Sequence, residues 1–340
     1  MSISSKPVLV TGASSFVGIH TIIQLLEQGY TVRGTIRSLD KEAEVREAVG
    51  QGNDRLEFKA ADLEQDAGWD EAMRGVAHVL HIASPFPLFE PEDEQDLIRP
   101  AVQGTLRVLR AAHKAGVKRV VQVSSVAAIS AGHKDTFKKF TEEDWSIIEN
   151  EIGAYSKSKT LAERATWEFI NGAENTNRME LATINPPLIL GPVPNKNFRT
   201  SVEVIRTYML GQVPGVGRIK MGFVDVRDVA SAIILAMNTP ESAGQRFLCS
   251  SGELWLKEVV NILHDEYASR GYKIPKMEFP SWAVRFLGLF DKKIARVTES
   301  LDRDFELSNE KAKRVLKWSP RPAKESILAM AESLIKHGFV

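Results

Sequence analysis

The 340-residue sequence predicts an α/β protein, a doubly wound parallel sheet followed by a smaller, loop-rich C-terminal lobe. Two observations carry that expectation. Through the first half, short apolar runs alternate with helical repeats, the pattern of a parallel sheet covered by helices on both faces. Beyond Asn185 the alternation gives way to clustered proline and glycine, which interrupt regular structure. The length exceeds one simple core, so a large domain with an appended lobe, or two domains, is expected.

Each element follows from its local pattern. Pro7-Val8-Leu9-Val10 is the first strand. Residues 15–28 form a helix, with Gly29 placed to end it. The second strand spans 31–36, a helix 41–49 and the third strand 56–60. Residues 69–74 supply a helical turn or two, and 77–82 the apolar fourth strand. From Glu94 to Ala115, the residues Leu97, Ala101, Thr105, Val108 and Ala112 recur at helical steps. Pro100 either kinks this helix or marks its true start. A strand at 118–124, a helix at 155–171 and a strand at 181–184 follow. The breakers come next: Pro186-Pro187, Gly191-Pro192, Pro194 and the run from Val213 to Gly217. Residues 225–237 read as a helix, 245–249 as a returning strand and 256–269 as a helix. Ile327, Leu328, Ala331, Leu334 and Ile335 repeat helically before Gly338 ends the pattern.

Composition narrows the function classes. Apolar residues make up 43% and charged ones 26%, as in ordinary globular proteins. Lys plus Arg equals Asp plus Glu, giving zero formal net charge. That argues against nucleic acid or a membrane surface as partner, since either favours a basic face. A small molecule is the expected partner, and the chain a monomer or homodimer. Cys249 is the single cysteine, so no internal disulfide forms, which fits a reducing compartment. Met1 to Pro7 has no basic-then-apolar leader, and no apolar run reaches the ~18 residues of a membrane span, so the cytoplasm is expected. The histidines are scattered; His78 and His81 share a strand but point to opposite faces, and no metal site is indicated.

The chemistry-bearing residues lie at strand ends. Thr11-Gly12-Ala13-Ser14-Ser15-Phe16-Val17-Gly18 follows a strand and opens a helix. Glycine allows a tight turn and close backbone approach, and the helix N-terminus offers free N–H groups to a pyrophosphate. Gly12, Ser14, Ser15, Phe16, Val17 and Gly18 thus form a candidate dinucleotide cradle, against the plainer reading of a structural turn. Ser15 stands where the usual pattern has its middle glycine. Arg37 ends the second strand, where NAD-binding folds place an acid; a cation there suits the 2′-phosphate of NADP, with Lys41 in support. A solvated loop arginine is the other reading. Asp62 and Leu63 follow the third strand, either at an adenine ring or as a helix cap. Ala83 and Ser84 follow the fourth strand, at the sheet edge where ligands bind, or make a rigid loop there. Ser124 and Ser125 follow the fifth, where a hydroxyl can hold a substrate oxygen. Some 30 residues later stand Tyr155 and Lys159, four apart and so on one helix face. A free phenol titrates near 10, and a nearby ammonium favours its phenolate. Gly12, Ser125, Tyr155 and Lys159 together suggest hydride chemistry on a carbonyl or alcohol.

This ordered set, with Asn185-Pro186-Pro187, resembles the extended short-chain dehydrogenase/reductases. His81-Ile82-Ala83-Ser84-Pro85-Phe86, Arg37-Ser38 with Lys41, and Phe223-Val224-Asp225-Val226-Arg227-Asp228-Val229-Ala230 resemble the branch of dihydroflavonol reductases and yeast methylglyoxal and carbonyl reductases. The resemblance runs from residue 6 to about 250. It implies a Rossmann core binding NADP(H), formed by residues 1–185 with 223–250 returning to it. It implies a substrate lobe from 186–222 and 251–340. Ser125 matches the family's catalytic serine, Tyr155 its acid/base and Lys159 its partner, while Pro186 and Pro187 match the segment beside the nicotinamide.

The resulting expectation is an NADPH-dependent, reversible reductase of aldehydes or ketones. Tyr155 gives the proton, Ser125 holds the oxygen, and Lys159 lowers the Tyr155 pKa and orients the ribose. Phe86, Ile129, Tyr208 and Met221 are expected pocket walls. The alternatives are an NAD-dependent nucleotide-sugar epimerase or dehydratase, against which Arg37 argues, and a non-catalytic NADP-binding regulator.

Overall fold

The computed structural model describes residues 6–50, 54–85, 91–135, 137–195 and 201–340. Seven strands form one parallel sheet: β1 (Val8–Thr11), β2 (Val32–Ile36), β3 (Leu56–Ala60), β4 (His78–His81), β5 (Arg119–Val123), β6 (Glu180–Asn185) and β7 (Gln245–Leu248). Their spatial order is β3-β2-β1-β4-β5-β6-β7, so the chain reverses direction of travel between β1 and β4. Ligands of open α/β sheets bind outside the strand carboxyl ends at such a reversal.

The alternation of side chains along a strand explains the two-faced core. Val8 and Val10 of β1 join one apolar layer, which includes Ile19 and Ile22 of α1 (Phe16–Glu27). Leu9 points the other way, into a layer with Val108, Leu109, Phe169 and Met179. The helices between are α2 (Glu42–Val49), α3 (Trp69–Met73), α4 (Gln95–Lys114) and α5 (Gly153–Asn171). Helix α4 continues through Pro100, which removes one N–H donor from its second turn.

The Pro/Gly-rich region holds α6 (Ser201–Met209), α7 (Val226–Asn238) and α8 (Leu256–Tyr267). Helix α7 returns to the first apolar layer through Val229 and Ile233, and β7 pairs with β6 in the register Phe247 to Ile184. A separate core gathers Val202, Ile205, Phe223, Val260, Leu263 and Tyr267 with Ile327 and Leu334 of the helix Ala323–Lys336. Two parallel strand pairs have no counterpart in the sequence pattern. Phe137–Phe140 pairs with Asp304–Leu307, and Gly215–Gly217 with Met277–Phe279. Each joins segments remote in sequence, and such short runs carry no periodicity of their own.

Candidate active site

The β1–α1 turn is shaped by close approach. Gly12 sits at φ +66°, and a Cβ on it would come within 3.0 Å of the Ala83 Cα. A Cβ on Gly18 would lie 2.3 Å from the Gly12 carbonyl oxygen, so only glycine fits. Ser15 caps α1, its Oγ accepting from the Gly18 N–H at 3.0 Å. The serine in place of the usual glycine therefore organises the turn. Thr11 Oγ1 accepts from the N–H groups of Ile82 and Ala83, each at 3.0 Å, which ties β1 to the end of β4. With both lone pairs used, its proton goes to Nδ1 of His81 at 2.9 Å. Burial pushes the His81 pKa down to about 3, so the ring is neutral. Val17 is buried, Phe16 stands edge-on to His20 and Ser14 is exposed.

At the end of β2, Arg37 is exposed. No ion pair or side-chain hydrogen bond holds it among the described residues. Ser38 and Asp40 bond each other at 2.8 Å, and Lys41 pairs with Glu44 at 3.2 Å. The loop's acid is thus taken by its own serine, and Arg37 is the cation left for an anionic ligand. Asp62 acts as a turn cap, accepting from the Glu64 N–H at 3.0 Å, while Leu63 packs under Gly104.

Three groups converge where β4 and β5 end. Ser125 Oγ accepts from the Ala127 N–H at 3.1 Å and hydrogen-bonds the Tyr155 hydroxyl. Ser124 turns inward and gives its hydroxyl proton to Glu163 at 2.5 Å. Lys159 is buried one turn after Tyr155 and donates to Ser84 Oγ at 2.9 Å. Burial pushes its pKa down to about 8, against the pull of the Glu163 carboxylate. Tyr155 is pushed above its usual value by burial, and its bond to Ser125 opposes the shift. The expected lowering of Tyr155 by Lys159 is absent from this geometry: the ammonium is 5.8 Å from the ring centre and turned to Ser84. Pro186 anchors the neighbouring loop by accepting from the Val126 N–H at 3.0 Å, and Pro187 is buried beside Gly222.

The pocket-wall expectations fare differently. Phe86 lies outside the described residues. Ile129 is 0% exposed in a packed cluster with Phe140, Leu248 and Leu307, so it supports the site from behind and lines nothing. Tyr208 and Met221 are half-buried at the edge of the C-terminal core, the Tyr208 hydroxyl pushed up to about 12 by burial. Sequence reasoning passed over Glu163 and Arg246, and placed Thr11 in the turn motif without a role of its own. Glu163 had a signal, since it repeats the four-residue step from Tyr155 to Lys159.

The site's donor set fits NADP: a cradle only glycine can form, a capped helix N-terminus and, past β2, a cation with no ion-pair partner among the described residues. A doubly wound dinucleotide fold with a Ser-Tyr-Lys cluster at the carboxyl ends of β4 and β5, next to the reversal point, defines a class, the Rossmann oxidoreductases. Within it, the chain belongs to the NAD dependent epimerase/dehydratase family, whose model matches residues 8–250, and so to the extended short-chain dehydrogenase/reductases. The chain is 30% identical to the NADPH-dependent methylglyoxal reductase of Saccharomyces cerevisiae over 97% of its own length and 98% of that protein's. It is 33% identical to cinnamoyl-CoA reductase 1 of Petunia hybrida, covering 100% of this chain and 95% of the relative. The yeast methylglyoxal/isovaleraldehyde reductase complexed with NADPH superposes with TM-score 0.82 at 30% identity, over 98% of this chain and 100% of that one.

Proposed function

We propose that this NADP-dependent oxidoreductase reduces an aldehyde or ketone to its alcohol, reversibly, through Ser125, Tyr155 and Lys159. The observation that carries the reading is the Tyr155–Ser125 hydrogen bond at the end of β5, beside the ammonium of Lys159. NADPH, when bound, supplies the hydride. Tyr155 holds its proton firmly at neutral pH and releases it to an oxygen that gains charge. Ser125 shares a hydrogen bond with that same oxygen, and such a bond strengthens as charge develops. Lys159 donates to Ser84 Oγ, and its ammonium has further donors to offer a ribose. Gly12, Ser14, Ser15, Phe16, Val17 and Gly18 cradle the pyrophosphate, and Arg37 meets the 2′-phosphate, with Ala83, Pro186 and Pro187 around the nicotinamide end. Tyr208 and Met221 remain candidate substrate contacts.

Oxidation of NADPH by the purified protein with a panel of aldehydes and ketones tests the activity. Tyr155→Phe should cost ~10²–10⁴-fold in kcat, the usual worth of a positioned general acid, with NADPH affinity nearly intact. A variant keeping more than about a tenth of the rate would remove Tyr155 from the proton-donor role. An absence of turnover in the wild type, with tightly held NAD, would favour the epimerase reading that the family name also covers.

A further inference from the structure

Under the three reacting side chains lies a carboxylate that the proposed chemistry does not use. Glu163 follows Lys159 by one turn of α5 and is 0% exposed. Its Oε2 accepts from Ser124 Oγ at 2.5 Å and Asn185 Nδ2 at 2.7 Å. Its Oε1 accepts from Arg246 Nε at 2.6 Å, with Thr183 Oγ1 at 3.2 Å and Trp167 Nε1 at 3.3 Å. Asn185 uses its amide group twice, since it also donates to the Ser125 carbonyl at 3.2 Å. Arg246 comes from β7 and is itself held: Nη1 donates to the carbonyls of Glu142 and Asp144 at 2.6 and 2.8 Å, and the guanidinium stacks 3.8 Å from the Trp145 ring centre. One carboxylate thus collects donors from β6, from β7 and from the residue after β5.

So many donors demand an ionised acceptor, because a protonated carboxyl would turn one oxygen into a competing donor. Stability alone does not explain the choice, since well-packed apolar side chains replace buried ion pairs at no loss. Position does. Ser124 is drawn inward, which leaves Ser125 as the hydroxyl facing Tyr155. The Ser125 backbone is pinned through Asn185. Resting on the reading of Ser125, Tyr155 and Lys159 given above, we propose that Glu163, paired with Arg246, is a positioning residue that sets the Ser125 hydroxyl and acts on Lys159, one helical turn before it. The direction of its electrostatic effect agrees, for Glu163 raises the Lys159 pKa that burial lowers. Among the described residues, the other titratable groups near Lys159 are Tyr155 on its own helix and His81 on β4, which is neutral. From β5 and the residue after it, the uncharged Gln122, Val123 and Ser124 line the same space among the described residues.

Glu163→Gln alone strands the Arg246 charge and can fail to fold, so the decisive protein is Glu163→Gln/Arg246→Gln. That double variant should recover the thermal midpoint lost in the single one and bind NADPH within a few-fold of wild type. Its kcat should still fall on the order of 10²-fold, the scale of a misplaced reacting group. The alkaline limb of its kcat/KM profile for NADPH should move to lower pH. Wild-type kcat with an unmoved limb would make the pair a structural filler and overturn the proposal. If the double variant does not fold, Glu163→Asp decides, because it keeps the charge but shortens the reach to Ser124 and Asn185. Its kcat should drop roughly tenfold with the limb in place, and an unchanged kcat overturns positioning. Tyr155→Phe run alongside separates the failures. If Tyr155→Phe is active, the reading of the reacting set is wrong. If it is dead while the Glu163 variants run at full rate, only the present inference fails.

Discussion

At the scale of single residues, charge and burial assign distinct tasks to groups that look alike. Arg37 and Lys41 are both cations after β2, yet Lys41 has Glu44 and Arg37 has no ion-pair partner among the described residues. Arg37→Ala should therefore erase the preference for NADPH over NADH. A charge-assisted bond to the 2′-phosphate is worth roughly ten- to a hundredfold in affinity, and NADH kinetics should barely change. Steady-state kcat/KM with both cofactors measures this, and a preference surviving the substitution would return Arg37 to the solvated loop. The two serines divide in the same way: Ser124 bonds Glu163 and Ser125 bonds Tyr155. Lys159 supplies the pH dependence. Its ammonium loses the proton as pH rises through about 8, whereas Tyr155 sits above its ordinary value near 10 and stays protonated there. The kcat/KM for NADPH, which reports the free enzyme, should be level below about pH 8 and decline above it. Lys159→Gln should lack that limb, and a limb kept in the variant would assign it to another group.

At the scale of elements, the β1–α1 turn shows how packing converts sequence into a binding surface. Ser15→Ala removes the cap of α1 and should lower stability by about 1 kcal/mol, with NADPH still bound. Gly18→Ala is a different perturbation, because its Cβ meets a backbone oxygen that cannot move aside. It should cost about 1–3 kcal/mol and weaken NADPH strongly. Thermal melts with and without NADPH distinguish the two, and equal behaviour would deny the turn its role as cradle. The same turn marks what was legible beforehand. Strands such as Val8–Thr11 and His78–His81, and helices such as Gln95–Lys114, announce themselves by periodicity and by the glycines or serines at their ends. Gly12, Tyr155 and Lys159 could be picked out because spacing alone puts them on a turn and a helix face. The pairing of Phe137–Phe140 with Asp304–Leu307 could not, since two short runs far apart in sequence meet only through the fold. Ile129 departs from its expected place for a related reason: an apolar residue soon after Ser125 suits a pocket wall and a core equally, and Leu248 and Phe140 decide for the core. Arg246 was invisible because its partner lies in another element 83 residues away.

At the scale of the whole molecule, the C-terminal segment is tied to the sheet by a charged cluster on α7. Asp228 accepts from the Arg321 N–H and from its Nη1, both at 2.8 Å, and its carbonyl takes the Trp318 indole N–H at 2.9 Å. Asp225 is fully buried and bonded by Arg227, with Arg321 Nη1 3.5 Å away. Arg321→Met keeps much of the side-chain packing and strips one guanidinium from two buried carboxylates. Breaking a fully buried pair costs about 3–5 kcal/mol, but Arg321 is 31% exposed, so about 1–3 kcal/mol is expected. The size should depend on pH, and the sign can be worked out. Burial already raises the Asp228 pKa above its ordinary value, and Arg321 pulls it back down. Without Arg321 the folded-state value rises further, while the unfolded value stays put. A carboxyl with a raised folded pKa loses stability as pH climbs from the unfolded value to the folded one, and that window widens in the variant. The thermal midpoint of Arg321→Met should therefore lie close to wild type in acid, and the gap should grow as pH rises towards neutrality before levelling. Calorimetry across that range measures it. A gap that is constant with pH would mean that Arg321 acts through packing alone, and no gap would mean that the segment is held by Trp318 and the apolar contacts of α7 without the charges.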